Sequence, residues 1–269
     1  MKRSSLSLRL LKKMFPSRFI LAKLTNYPVI GPVMDKVFFK EDDLIYLPKE
    51  RHIELNTSVE LHDNIVLPSK LVEHYIEEAD YHWVMDFCIC RESNECEDYP
   101  IELGCLFLGE AARDIDSSMG REVTKKEALE HVEKCREAGL VHLIGRNELD
   151  SVWLDVRPGE KLMTVCNCCP CCCLWKMIPD LSPSVSTKIK RLPGLEIKVN
   201  DNCIGCGKCV DICFIDAVKI KDGSAVISED CRGCGRCAEV CPEDAIEMIL
   251  TDEDFFEKSI ENLDSALDI

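Results

Sequence analysis

The feature that most constrains this chain is a cysteine run that occurs twice in its last third. Both runs have the spacing C-x-x-C-x-x-C-x-x-x-C, and Cys231 opens the second run 28 residues after Cys203 opens the first. Two residues between cysteines allow neighbouring thiolates to converge on one inorganic cluster. The eight cysteines are Cys203, Cys206, Cys209, Cys213, Cys231, Cys234, Cys237 and Cys241.

In runs of this kind the fourth cysteine points away from its own run and binds the other cluster. The spacing therefore predicts two [4Fe–4S] clusters with crossed ligands. The first is expected on Cys203, Cys206, Cys209 and Cys241. The second is expected on Cys231, Cys234, Cys237 and Cys213.

This segment resembles the bacterial-type two-cluster ferredoxins, which usually carry proline after the fourth cysteine of each run. Pro242 follows the second run, whereas Phe214 follows the first. The duplication extends beyond the cysteines, since residues 216–220 match residues 244–248. Alternating apolar residues and the Asp222-Gly223 turn signal predict strands around a hairpin. The resemblance and these patterns together predict a small pseudo-symmetric α+β unit over residues 195–250.

Zinc and disulfides are the alternatives for these cysteines. Paired C-x-x-C motifs also bind zinc, but zinc sites do not normally need a third and a fourth cysteine at these offsets, twice. Disulfides fit secreted proteins, and nothing in the sequence indicates export. Iron–sulfur ligation is therefore favoured.

A second group of cysteines lies further towards the N-terminus. Six of its ten members fall within residues 166–173, which no packing argument requires. The ten could bind two further clusters, or one larger or non-cubane cluster with spare thiols. Zinc on four of them, or a reactive disulfide pair, are the alternatives. The ten candidate metal ligands are Cys88, Cys90, Cys96, Cys105, Cys166, Cys168, Cys169, Cys171, Cys172 and Cys173.

Charge is distributed unevenly along the 269 residues, whose net charge is −16. Residues 1–40 carry nine Lys or Arg and one acid, so a basic arm precedes a strongly acidic body. The overall charge argues against nucleic-acid binding. The arm predicts packing along the acidic body, with contact to a membrane surface or an acidic partner through residues 1–24 as the alternative. No apolar stretch approaches the length of a spanning helix, and a cytoplasmic protein is predicted.

Five segments are expected in an α+β fold. They are a basic arm (1–40), a cysteine-rich mixed α/β domain (41–173), a linker (174–194), the two-cluster ferredoxin-like domain (195–250) and an acidic C-terminal helix (251–269). Thr124 and Glu127 predict a capping box at the start of a helix. Within that helix, Cys135 is expected to be a buried core thiol. Residues 84–90 predict a strand with Cys88 and Cys90 on one face, and residues 141–145 and 152–156 predict paired strands.

From about residue 26 to 250 the chain also resembles a family of 4Fe–4S binding proteins of anaerobes, including methane-producing archaea. The matching stretches are DDLIYLP (42–48), FCICR (87–91), YPIELGCLFLGEA (99–111), EAGLVHLIGRN (137–147) and CNCCPCCC (166–173). This resemblance implies an oxygen-sensitive electron carrier, or a reductase component, of anaerobic metabolism.

Three functions follow from these features as hypotheses. The first is single-electron transfer between redox partner proteins, through two [4Fe–4S] clusters and at least one further N-terminal cluster. The second is a reductase or reductive-activation component, whose N-terminal cluster cleaves a disulfide or activates a partner. The third is a docking subunit with a structural zinc site. The sequence contains no nucleotide-binding motif, so electrons are expected to arrive from a partner.

Overall fold

The computed structural model describes residues 5–50, 53–55, 67–252 and 254–269. Of the predicted arm, residues 1–4 lie outside the described part.

The helices are α1 (Ser5–Met14), α2 (Arg18–Leu24), α3 (Ile30–Phe38), α4 (Ser69–Glu78), α5 (Ile89–Ser93), α6 (Lys125–Glu137), α7 (Glu148–Leu154), α8 (Pro183–Ser186), α9 (Lys208–Ile212), α10 (Arg236–Glu239) and α11 (Phe255–Asp264). The strands are β1 (Asp43–Tyr46), β2 (Ile53–Leu55), β3 (His82–Met85), β4 (Leu106–Leu108), β5 (Gly120–Glu122), β6 (Val141–Arg146), β7 (Met163–Cys168), β8 (Ile189–Arg191), β9 (Leu195–Val199), β10 (Val218–Lys221), β11 (Ser224–Ile227) and β12 (Ile246–Leu250). The predicted α+β class is confirmed.

A seven-stranded sheet forms the N-terminal part, in the order β5-β3-β4-β7-β6-β1-β8. All neighbouring strands are antiparallel except β1 and β8. Successive side chains point to opposite faces of a strand. Ile45, Ile144 and Val165 therefore face α4 and α6 in one buried cluster. Leu44 and Leu143 face the opposite way, into a cluster built around Trp175.

The capping box is confirmed at the start of α6. The Glu127 backbone N–H donates to Thr124 Oγ1 at 3.2 Å, and the Thr124 backbone N–H donates to Glu127 Oε2 at 2.8 Å. Cys135 is fully buried on the inner face of this helix, as predicted.

The prediction of paired strands at residues 141–145 and 152–156 is confirmed for the first segment and wrong for the second. Residues 141–146 form β6, but residues 148–154 form helix α7. Glu148 and Asp150 lie in its first turn, where the helix dipole favours acidic side chains. A short apolar run such as residues 152–156 does not distinguish a strand from a buried helix.

Residues 174–194 are packed into the N-terminal domain rather than extended as a linker. They open with a 3-10 helix over Leu174–Asp180, whose Trp175, Met177 and Ile178 are buried. They continue through α8 into β8, which pairs with β1 at the edge of the seven-stranded sheet. The prolines and serines that suggested a linker instead serve short turns between buried residues.

The ferredoxin-like part consists of a hairpin and a three-stranded sheet. Strands β10 and β11 pair across Asp222-Gly223, as predicted, while β9 pairs antiparallel with β12. The third strand of that sheet is β2, which comes from the N-terminal part and pairs parallel with β12. The duplication persists in the backbone, since Asp216 and Asp244 both adopt positive φ angles, 55° and 46°.

The acidic C-terminal helix α11 packs on the N-terminal part. Leu263 is fully buried, and the Tyr75 hydroxyl donates to Asp264 Oδ1 at 2.9 Å. In the described part of the chain, none of the helices combines the length and the apolarity needed to span a membrane.

Candidate metal centres

The eight cysteines of the duplicated runs gather around two small cavities. The first cavity is lined by Cys203, Cys206, Cys209 and Cys241. The second is lined by Cys213, Cys231, Cys234 and Cys237. Each set contains three cysteines of one run and the fourth of the other, so the crossed grouping expected from the spacing is the one that the fold brings together. Ligation of a cluster by each set stays a prediction.

Backbone N–H groups point at the sulfurs of both sets, in positions related by the repeat. Ala217 N–H donates to Cys213 Sγ at 3.3 Å, and Ala245 N–H donates to Cys241 Sγ at 3.2 Å. Such donors stabilise thiolate charge, and hydrogen bonds to the sulfurs help to set a cluster's reduction potential. The donor set and these N–H groups are suited to a bound [4Fe–4S] cluster at each cavity.

The seven-stranded sheet places three N-terminal cysteines on one face. Cys166 and Cys168 alternate with Asn167 along β7, so both thiols lie on the face away from α6. Cys105 precedes β4, the neighbour of β7, and its Sγ lies 3.9 Å from Cys166 Sγ.

Cys88 and Cys90 do not share a strand face, contrary to expectation. Strand β3 ends at Met85, Cys88 is the N-cap of α5 and Cys90 lies in that helix. The turn between them still brings both thiols to the same cavity as Cys105, Cys166 and Cys168. A short helix therefore brings the two thiols together in place of the predicted strand.

That cavity has a volume of about 260 Å³ and is the site of most N-terminal thiols. It is closed on one side by the arm, through Leu11, Met14, Phe15, Arg18 and Leu21. We call it the thiol cavity. Its cysteines are Cys88, Cys90, Cys105, Cys166, Cys168, Cys169 and Cys173.

Four N-terminal cysteines, one of which also lines the thiol cavity, form a compact set next to that cavity. The sulfurs of its four members all lie within 4.8 Å of one another. The residues are Cys96, which follows α5, and Cys169, Cys171 and Cys172, which lie in the turn after β7. Cys169 also borders the thiol cavity, so the two sites adjoin.

A fully buried arginine lies between the two N-terminal sites. The Arg91 guanidinium donates to the carbonyl oxygens of Pro100 at 2.8 Å, Asn167 at 2.7 Å and Leu103. Burial alone would lower the pKa of Arg91, but the neighbouring thiols of Cys88, Cys169 and Cys105 raise it above its ordinary value. A buried cation held by three carbonyl groups would compensate the negative charge of thiolates that bind a metal there.

The thiols of the cavity influence one another's protonation. The Cys90 side chain donates to Cys88 and lowers the pKa of Cys88 to about 7, against the effect of burial. Hydrogen bonds from Cys166 and Cys173 likewise lower the pKa of Cys168, with Arg236 and Arg91 acting in the same direction. The thiolate is the form that binds metal, and a lowered pKa favours that form at both sulfurs.

Buried polar atoms without a protein partner surround the same cysteines. In the part of the chain that the structure describes, they include Arg18 Nε, Trp175 Nε1 and Arg236 Nε and Nη1. Buried donors are normally satisfied. All four are donors, and the sulfides and thiolates of an iron–sulfur cluster are acceptors. Arg18 and Trp175 line the thiol cavity and are suited to a cluster there, whereas Arg236 lines the cavity of the second ferredoxin set.

The second ferredoxin set and the thiol cavity are connected by a few buried side chains. Arg236 Nη2 donates to the Cys168 carbonyl oxygen at 2.6 Å, and its guanidinium lies 5.3 Å from the centre of the Phe214 ring. The Tyr46 ring lies 5.5 Å from the Phe214 ring, and its hydroxyl lies 4.0 Å from Cys173 Sγ. Cys213, Cys231 and Cys234 pack against the same buried cluster as Cys168 and Cys173. We call Tyr46, Phe214 and Arg236 the bridging residues.

The histidines nearest the cysteines have structural partners. His142 Nδ1 lies 2.8 Å from Asn167 Oδ1, and burial lowers the pKa of this imidazole to about 4, so it is neutral. His131 Nε2 lies 2.9 Å from the Gly104 carbonyl oxygen.

Sequence reasoning did not find the bridging residues or the buried arginines. Arg91, Phe214 and Arg236 are each adjacent in sequence to a cysteine, which is their only signal. Tyr46 and Arg18 lie far in sequence from any cysteine and carry no such signal.

Comparison with known proteins places the ferredoxin-like part in a class. Residues 197–248 match the family of 4Fe-4S dicluster domains. The chain thus contains a ferredoxin-like 4Fe–4S domain near its C-terminus, and this domain together with the N-terminal cysteine cluster indicates iron–sulfur electron transfer. No curated protein and no solved structure matches the chain. The wider resemblance to proteins of anaerobes therefore stays a prediction.

Proposed function

We propose that this chain is a cytoplasmic iron–sulfur electron-transfer protein of anaerobic metabolism. It relays single electrons between redox partner proteins through two [4Fe–4S] clusters and a further cluster in the thiol cavity. The crossed cysteine sets of the ferredoxin-like domain hold the first two, and cysteines of the thiol cavity hold the third. When bound, the clusters supply one-electron chemistry, and the chain determines where electrons enter and leave.

Electrons exchange with a partner at the first ferredoxin set. Cys206 is exposed there, and the neighbouring Ile204 side chain is 63% exposed. Glu243 and Lys208 are exposed and line the same cavity. An exposed apolar residue beside charges of both signs favours a protein partner with a complementary surface.

The observation that carries the proposal is the buried connection between the second ferredoxin set and the thiol cavity. The bridging residues together touch both, and the ring centres of Phe214 and Tyr46 lie 5.5 Å apart, within the range of direct aromatic contact. A ferredoxin-like domain that served only as a mobile carrier would not need to bury one of its cysteine sets against a second thiol-rich site.

A reductive titration without oxygen tests this proposal. The wild-type chain should accept about three or more electrons, because each [4Fe–4S] cluster of the ferredoxin-like domain accepts one and the thiol cavity accepts the rest. The triple variant Cys166→Ala, Cys168→Ala, Cys173→Ala removes three of the six cysteines that line the thiol cavity without belonging to the compact set. Three thiols remain there, and a [4Fe–4S] cubane needs four. The triple variant should accept about two electrons.

Cys135→Ala is the matched control, because Cys135 is buried nearby but does not line the thiol cavity. This variant should titrate like the wild type. A wild-type chain that accepts only two electrons, or a triple variant that accepts as many as the wild type, would contradict a cluster in the thiol cavity.

A second candidate function, the reduction of a disulfide substrate, is favoured by the size of the thiol cavity and by its surplus of thiols. Six of its cysteines lie outside the compact set, while one cubane takes four. Two thiols beside a cluster could reduce a disulfide substrate. Two electrons supplied singly by a redox partner and two protons from solvent would break one S–S bond and yield two thiols.

Anaerobic turnover with a small disulfide and a low-potential reductant distinguishes this candidate from the relay. Catalytic thiol release that disappears in the triple variant would establish the reductase. Thiol release no faster than from the reductant alone would leave electron transfer as the function.

A further inference from the structure

We propose that Cys96, Cys169, Cys171 and Cys172 bind a single zinc ion, separate from every iron–sulfur cluster of the chain. This assignment deepens the proposed function, since it divides the ten N-terminal cysteines between a one-metal site and the thiol cavity. It combines two hypotheses that the sequence presents as alternatives, an N-terminal cluster and an N-terminal zinc site.

The spacing of the four sulfurs is that of a one-metal site. Cys171 Sγ lies 3.5 Å from Cys96 Sγ, 3.5 Å from Cys169 Sγ and 3.6 Å from Cys172 Sγ. Tetrahedral zinc with Zn–S bonds of about 2.3 Å holds its sulfurs about 3.8 Å apart. The four thiols therefore already surround the volume of one ion.

The rest of the chain provides an internal comparison. Among the described residues, the compact set is the one group of three or more potential ligands whose donor atoms all lie within 4.8 Å of one another. The two ferredoxin sets do not form such a group, although each surrounds its own cavity. A cubane places four irons and four sulfides between its thiolates, and this requires a wider arrangement. The compact set has no room for that core.

The surroundings close the site. Cys169 and Cys172 are buried and pack with Cys135 and Leu140, and the partly buried Tyr99 and Leu103 pack against the same cluster. The Cys172 backbone N–H donates to Cys169 Sγ at 3.4 Å, which is suited to a thiolate. Four thiolates with no open position are typical of structural rather than catalytic zinc.

Zinc is favoured over a single ferrous ion because the same ligand set binds Zn²⁺ more tightly than Fe²⁺. The ion would join two segments that are distant in sequence, since Cys96 follows α5 and the other three ligands follow β7. It would thereby hold the two walls of the adjoining thiol cavity, which both segments line.

Metal analysis of the double variant Cys96→Ala, Cys171→Ala tests the assignment. Both side chains are partly exposed, and only two ligands remain. In protein purified without oxygen from cells supplied with iron and zinc, the wild type should contain about one zinc per chain. The double variant should lose zinc at least tenfold while its iron and acid-labile sulfide stay unchanged. The control Cys135→Ala, whose thiol packs against the same set, should keep zinc, iron and sulfide.

Loss of iron and sulfide in the double variant, or a wild-type chain without zinc, would overturn the assignment. Replacement of zinc by cobalt gives an independent readout, because a tetrahedral cobalt–thiolate spectrum should appear in the wild type and be absent from the double variant. The triple variant of the thiol cavity separates this result from the proposed function. It should accept fewer electrons and contain less iron than the wild type, but it should keep its zinc.

Discussion

Arg18, Arg91 and Arg236 lie buried among the cysteines, in a chain whose net charge is −16. A buried charge is costly unless it is paired. Carbonyl groups accept hydrogen bonds from these arginine side chains and hold them in place. The negative charge that the arginines compensate is that of the cysteine thiolates. For Arg236, burial alone would lower the pKa, but Cys234 and Cys168 raise it. One residue of the ferredoxin-like domain thus responds to cysteines of both domains.

Replacing Arg236 by methionine should lower the reduction potential of the nearest clusters. The reduced form carries more negative charge, and a unit charge about 8 Å away interacts by about 2 kcal/mol at an effective dielectric constant of about 20. For one electron, about 59 mV corresponds to a tenfold change, so we expect a fall of tens of millivolts. An EPR-monitored redox titration measures it.

Arg236→Lys is the matched control, because it keeps the charge. It should shift the potential much less than Arg236→Met. Equal potentials in the methionine variant and the wild type would show that this charge does not act on the clusters.

Asp42 provides a pH-dependent prediction away from the metal sites. Its Oδ1 accepts from the Glu148 backbone N–H at 2.6 Å, its Oδ2 is buried without a partner among the described residues, and burial raises its pKa to about 8. The folded chain therefore keeps this proton at pH values where the unfolded chain has lost it, so the wild type loses stability as the pH rises towards 8.

The variant Asp42→Asn should lack this dependence. Its free energy of unfolding should exceed that of the wild type by an amount that grows between pH 5.5 and 8 and is constant above. Urea denaturation at several pH values, without oxygen, measures the difference. A difference that is independent of pH would refute the buried, protonated carboxyl.

At the scale of elements, the arm contributes a wall to the thiol cavity. Ala22 of α2 is fully buried, and α2 packs on the 3-10 helix that contains Trp175. Leu10, Ile20, Val29 and Val33 are exposed on the other side of the arm. The arm thus packs on the body, as predicted. A contact of residues 1–24 with a membrane or an acidic partner stays a prediction.

Ala22→Glu should displace α2 and open the thiol cavity to solvent, because a charged side chain cannot be accommodated without a partner in that buried position. N-terminal iron should then be lost several times faster in air than from the wild type. Iron retained after timed exposure measures the loss, with the ferredoxin clusters as the internal reference.

Ile20→Glu is the control on the same helix, since Ile20 is 64% exposed. It should lose iron at the wild-type rate. Equal rates for both variants would show that the arm does not protect the cavity.

The sequence predicted those elements whose signal is local. The capping box at Thr124 and the turn at Asp222-Gly223 depend on residues a few positions apart, and both are confirmed. Helix α7 and the packed segment 174–194 were missed because tertiary contacts decide them. Glu148 of α7 is bonded to Asp42, and β8 pairs with β1 more than 140 residues away.

The candidate metal sites show the same difference between what local spacing predicts and what tertiary contacts decide. The crossed ferredoxin grouping follows from spacing alone, because the repeat fixes which cysteines can meet. The division of the other ten depends on β7 and α5 meeting across the sheet. No spacing rule joins Cys96 to Cys171, 75 residues apart.

The cysteine sites of the molecule differ in how exposed they are. The first ferredoxin set includes the exposed Cys206, the second set is half-buried, and the bridging residues connect the second set to the thiol cavity under the arm. β2 pairs with β12 of the ferredoxin-like part, and α11 packs on the N-terminal part. The two domains are thus joined by strand pairing and by side-chain contacts.

The most direct test of this account is the content of iron, acid-labile sulfide and zinc per chain in protein purified without oxygen. We predict about twelve or more irons with matching sulfide and one zinc, since two cubanes supply eight irons and the thiol cavity at least four more. About eight irons with eight sulfides would contradict the account, because the thiol cavity would then hold no cluster and the relay would end at the ferredoxin-like domain.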